Sequence, residues 1–157
     1  MRLSLNEAYT AFNNSVKQYE LVNNPAESYV IKCLEKVEHV IGISAVTEDN
    51  DPNGHLGKAG GYTATVYFTC DWVNQANVIG NTIIDKGTDG GGAIEVYANV
   101  EDAESRDSYL AGFDGGVLAS GSHTVVGTCV VRTSDELAAS KQKELEAAVI
   151  GALTKLE

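Results

Sequence analysis

"GYTATVYFTCDW", residues 61–72, alternates without a break: Tyr62, Ala64, Val66, Phe68 and Cys70 fall on one face, Thr63, Thr65, Tyr67 and Thr69 on the other. Successive side chains of a β-strand point to opposite faces, so a period of two predicts a strand with one face in a core. The threonines of the second face predict a sheet solvated on that side. Upstream, "ISAVTE" (43–48) reads as a shorter strand; downstream, "AIEVYANV" (93–100) and "SHTVVGTCVVRT" (122–133) read as two more. "NVIGNTIID" (77–85) fits either a strand or an irregular excursion.

Around these strands the period changes to that of a helix. Ser4 with Glu7 forms a capping box, and Ala8, Phe12, Val16 and Tyr19 then recur at helical spacing, predicting an amphipathic helix over 5–21 with one apolar stripe. In "NNPAESYVIKCLEKVEHV" (23–40), Asn24 suits an N-cap, Pro25 the first helical position, and Val30, Cys33, Leu34 and Val37 a buried face. Asn99 with Asp102 starts a third helix through Phe113. Thr133 with Glu136 caps a fourth, whose stripe is Leu137, Leu145, Ala148, Val149, Ala152 and Leu156. The order ααβββαβα predicts one α+β domain over 1–157, with a mostly antiparallel sheet of about four strands and helices on one face, because the first three strands lack the crossover helices a parallel sheet needs. Residues 1–22 are expected to be an N-terminal helix, either peripheral to that domain or derived from a linker.

The chain has 22 acidic and 11 basic residues, a formal charge of -11, which disfavours direct binding to nucleic acid or anionic membrane. No apolar run approaches the roughly 20 residues a membrane helix needs. Cys33, Cys70 and Cys129 show neither a CxxC pair nor metal-ligand spacing to a histidine, and they read as buried small hydrophobes; one disulfide is compatible with an extracellular site.

The acidic stretch "TEDNDPNG" (47–54) places Asp49, Asp51 and Asn53 at alternate positions before Gly54, the front half of an EF-hand ligand pattern. Gly60 stands at the twelfth position where a bidentate glutamate belongs, and the flanks read as strands, which excludes an EF-hand. Two readings stay open: a loop that holds Ca2+ through Glu48, Asp49, Asp51 and Asn53, with Asp89 as a remote ligand, or a tight turn built on Asx hydrogen bonds. "SGSH" (120–123) sets serines beside His123, yet neighbouring residues face different ways and make no triad. "GTDGGG" (87–92) lacks the lysine and following helix of a phosphate loop and reads as a turn needing positive φ. Tyr62, Tyr67, Trp72 and Tyr97 are candidates for an exposed aromatic patch or for the core.

Together, "TEDNDPNGHLGKAGGYTATVYF", "GGAIEVYANVEDAESRDSYL" and "VVGTCVVRTSDELAASKQKELE" resemble the C-terminal domain of an uncharacterised family of lipoproteins and membrane-anchored proteins of the Gram-positive envelope, over roughly residues 25–150. The resemblance implies an extracytoplasmic, anchored location and no reaction. The stretch given shows no leader, so the expectation becomes cytoplasmic if Met1 is the native start. The expected function is a non-enzymatic binding or interaction module for an unknown protein or small ligand, calcium-stabilised if the acidic loop holds the ion. The alternatives are an acidic nucleic-acid mimic that inhibits a nucleic-acid-binding protein and, last, a small hydrolase using surface carboxylates.

Overall fold

The alternating stretch becomes the second strand of a five-stranded sheet, antiparallel throughout, in the order β1-β2-β3-β5-β4. The structure, a computed structural model, describes residues 4–157; the first three residues of the N-terminal segment lie outside it. Along the chain run α1 (Leu5–Leu21), α2 (Glu27–Leu34), β1 (Val40–Ala45), β2 (Ala64–Cys70), α3 (Ile83–Lys86), β3 (Gly91–Val96), α4 (Val100–Ala111), β4 (His123–Val126), β5 (Cys129–Thr133) and α5 (Ala139–Leu153). The α+β class and antiparallel sheet hold, with one strand more than expected. "SHTVVGTCVVRT" is not one strand but a hairpin turning at Gly127 and Thr128, which places β4 at the edge and returns β5 beside β3.

Val66, Phe68 and Cys70 of β2, Ile94 and Val96 of β3 and Cys129 and Val131 of β5 form one core face. Val30, Cys33 and Leu34 of α2 and Leu145, Val149 and Leu153 of α5 cover it. All three cysteines are buried free thiols.

The opposite face is not solvated, and the helices do not all lie on one side. Thr65, Tyr67 and Thr69 are buried, with Tyr67 packed among Val46, Ile84 and Ala93. Ala103 and Leu110 of α4 lie with Val130, Tyr62 and Tyr97 in a further cluster. Threonine matches a solvated strand and a lightly packed interior equally well, and the cover comes from distant segments: the 46–63 connection, α3 and α4.

Local capping decides several boundaries. Asn99 accepts the amide of Asp102 at 2.9 Å and starts α4 as expected. Asn24 does not cap α2; it takes φ 48, receives the Thr63 hydroxyl at 2.8 Å, and Ala26 is the N-cap. Thr133 does not cap α5 either, because it belongs to β5 and the helix begins after Ala138. The ambiguous 77–85 stretch ends in α3, closed by a Thr82–Asp85 capping box.

Within "GTDGGG" only Gly87 takes a positive φ, 59°. Gly92 is required by space: a Cβ there would collide with the Arg132 carbonyl and stand 2.6 Å from the Phe68 ring. Gly92→Ala is therefore expected to lower unfolding stability by roughly 2–4 kcal/mol. Gly151→Ala in α5, where a Cβ meets nothing within 4 Å, is expected to be neutral or stabilising by up to about 1 kcal/mol; denaturant midpoints of the two variants check the contrast.

α1 is the exception to this packing. None of its residues is buried, and the stripe read from the sequence faces solvent. Its C-terminal end is tied down where Gln18 Nε2 donates to the Thr154 carbonyl at 3.1 Å and the Val22 carbonyl accepts from the Thr128 amide at 2.9 Å.

Candidate functional site

The acidic loop folds around Asp51. Its Oδ1 accepts the amide of Asn53 at 3.0 Å and the Tyr62 hydroxyl; its Oδ2 accepts the amides of His55 at 2.7 Å and Leu56 at 2.8 Å. Those four donors fill the carboxylate's roughly four lone-pair positions. Gly54 supplies the positive φ, 64°, that brings these amides inward. Asn50 closes a neighbouring turn by accepting the Thr47 amide at 2.6 Å.

Of the four residues read as calcium ligands, Asp51 is engaged by the protein, while Glu48, Asp49 and Asn53 are exposed. Among the described residues, no three histidine, cysteine or carboxylate side chains converge as a metal cage. The loop is thus built on Asx-type hydrogen bonds, and Asp51 could ligate an ion only by surrendering donors that shape it.

The same loop forms one lip of a cleft of about 730 Å³, through Pro52, Asn53, His55 and Gly60. Tyr109, Leu110 and Phe113, from α4 and the residue run just after it, form the facing wall, and Leu118 and Ser120 extend it. Tyr109 and Leu118 are largely exposed. The Tyr109 ring lies edge-on to Phe113, with centroids 5.1 Å apart, and the Arg106 guanidinium sits 5.5 Å from its centroid.

Arg106, Arg132 and Tyr97 line the bottom, gathered on the fully buried carboxylate of Glu95. Arg106 binds it with two nitrogens, Nε to Oε2 at 2.9 Å and Nη2 to Oε1 at 3.0 Å. Arg132 Nη1 donates to Oε1 at 3.1 Å, and the Tyr97 hydroxyl to Oε2 at 2.9 Å. Burial pushes the Glu95 carboxyl up, but Arg106, Arg132 and Tyr97 outweigh it and hold the carboxyl below its ordinary range. Two guanidiniums share the Glu95 carboxylate at the base of the cleft, and the Asp102 carboxylate also lines it. Arg132 also reaches Ser120 Oγ at 3.3 Å, while its buried Nε has no partner among the described residues.

Strand periodicity explains the cluster: Tyr97, just past the end of β3, is two residues from Glu95 and shares its face, and Arg132 pairs with Ala93 two residues before Glu95. A glutamate inside an otherwise apolar strand, with a tyrosine two residues on, was the available sequence signal. Tyr62, Tyr67 and Tyr97 are buried rather than patch-forming, and Trp72 stacks on His39 at 4.1 Å.

His123 is also committed. Its Nδ1 lies 2.6 Å from Asp107 of α4, and its Nε2 lies 3.1 Å from Asp114. Burial lowers its pKa, but the two aspartates outweigh this and raise it above the ordinary histidine value. Ser122 Oγ pairs with Thr133 Oγ1 at 2.6 Å.

No protein-family profile, curated protein or solved structure matches this chain.

Two outcomes follow from these carboxylates. Burial raises the Asp51 pKa, but the Tyr62 hydroxyl and the amides of Leu56, Asn53 and His55 bring it down from 3.8 to about 2. A depressed pKa stabilises the fold fully above the unfolded value and ceases to do so as pH falls toward 2. The stability difference between the protein and Asp51→Asn, by denaturant unfolding, is expected to shrink by about 1–2 kcal/mol between pH 6 and pH 2, after allowance for solvent screening. Glu95→Gln strands two buried guanidiniums and is expected to cost about 3–5 kcal/mol. Joint replacement by Glu95→Leu, Arg106→Met and Arg132→Leu, followed by the same unfolding measurement, is expected to recover much of that loss.

Proposed function

We propose that the protein is a non-enzymatic extracytoplasmic binding module whose cleft takes a ligand with an anionic group and an aromatic or apolar body. The single observation that carries this reading is the pair of guanidiniums, Arg106 and Arg132, at the base of a cleft walled by Tyr109, Phe113 and Leu118, with Asp102 as the carboxylate a ligand's anionic group would avoid. Arginine stays protonated at any working pH and presents fixed donors, which suits holding an anion rather than moving a proton. Small-ligand sites are concavities in which apolar walls meet convergent polar groups; here the Tyr109–Phe113–Leu118 wall faces a lining that is nearly half polar. The envelope location rests on the resemblance of the 47–68, 91–110 and 125–146 stretches.

The test uses 8-anilino-1-naphthalenesulfonate, an aromatic anion, against its uncharged counterpart N-phenyl-1-naphthylamine, read by fluorescence titration. The anion is expected to bind about tenfold more tightly, as one charge-assisted contact of about 1.4 kcal/mol provides. Tyr109→Ala with Leu118→Glu, both at exposed positions, is expected to abolish saturable binding, whereas Phe12→Glu on α1 leaves it intact. Equal affinity for the two probes, or binding indifferent to the cleft substitutions, overturns the reading.

A further inference from the structure

Leu5, Tyr9, Phe12, Val16 and Tyr19 of α1 are between 44% and 87% exposed. Their spacing is 4-3-4-3, the d-a-d-a-d order of a coiled-coil heptad, so all five lie along one seam of a straight helix about 25 Å long. We propose that this seam is a dimerisation surface and that its occupant is α1 of a second copy of the chain.

Three observations favour a second copy. The five side chains expose on the order of 600 Å² per copy, against about 800 Å² per partner in a standard stable interface and 300–600 Å² for the largest apolar patch of an ordinary monomer. The area suits a reversible dimer.

The positions flanking the seam are Asn6, Ala8, Asn13, Ser15 and Glu20, with a single charge among them, in a chain of formal charge -11. A different protein recognised through a coiled coil is ordinarily selected by charges at those flanks, whereas self-pairing needs only that they do not repel.

The outer face is also wrong for a lipid surface. A helix lying on an anionic membrane carries several lysines or arginines on its polar side, and α1 has Lys17 alone, with Glu7 and Glu20. Among the described residues the helix makes only end-on hydrogen bonds to the body, so pairing leaves the cores and the Arg106–Arg132 cleft undisturbed.

Sedimentation equilibrium of the whole chain, from about 5 to about 500 µM, tests the proposal in a range where an interface of this size associates reversibly. The mass is expected to rise from 16.6 kDa toward twice that value. Phe12→Glu is expected to remain at the monomer mass throughout, with the melting curve of the dilute monomer unchanged, and Thr10→Lys on the outer face is expected to dimerise like the parent. A parent chain that stays monomeric at the highest concentration overturns the proposal. So does association unaffected by Phe12→Glu, or a monomeric chain whose α1 binds mixed phosphatidylcholine–phosphatidylglycerol vesicles and loses that binding with Phe12→Glu.

Discussion

A carboxylate shut away from water, Glu95, ties the second face of the sheet to what covers it. Taking such a charge into the interior costs several kcal/mol unless hydrogen bonds and opposite charge offset it. Here the compensation comes from three places in the chain: Tyr97 from the same strand end, Arg132 from β5 and Arg106 from α4. The cluster therefore specifies where α4 lies as well as what Glu95 touches. Where the surface opens into an aromatic-walled cleft, the cluster sets two guanidiniums on one carboxylate at its base, with Asp102 also in the lining; on the proposed reading this pair would meet a ligand's anionic group.

A second carboxylate does the same for the loop opposite. Asp51 draws three amides and the Tyr62 hydroxyl around itself, and the buried Tyr62 ring meets Tyr97 edge-on, with centroids 6.2 Å apart. The two carboxylates are thus connected through a pair of packed tyrosines, and both lips of the cleft rest on donor-saturated acids. His123, between Asp107 and Asp114, adds a clasp from β4 to α4 and to the 112–122 segment. Asp51 and Glu95 are in this way turned inward as hydrogen-bond acceptors, while most of the chain's 22 acidic residues stay exposed.

The cleft and the α1 seam draw on different residues and answer to different physics. The cleft depends on a fixed charge in a low-dielectric setting, the seam on apolar area and heptad spacing. A dimer held through α1, as proposed, would present two clefts without altering either, and paired weak sites gain avidity from such an arrangement.

Period and capping chemistry, local properties both, were enough to determine α1 residue for residue, the start of α4 at Asn99, the strand β2 and the antiparallel α+β class. The same local signals misplaced the caps of α2 and α5, because Asn24 and Thr133 were claimed by partners far along the chain. They also ran β4 and β5 together, since a turn at Gly127 and Thr128 leaves the apolar alternation almost unbroken. Which face of a threonine-bearing strand is covered, whether Asp51 closes a loop, and that Glu95, Arg106 and Arg132 meet were decided only by tertiary structure. The Asp51 amides lie only two to five residues on, but Tyr62 and the Glu95–Arg106–Arg132 cluster bring together segments 11 to 37 residues apart, and pairing at that separation leaves no periodic trace in the sequence.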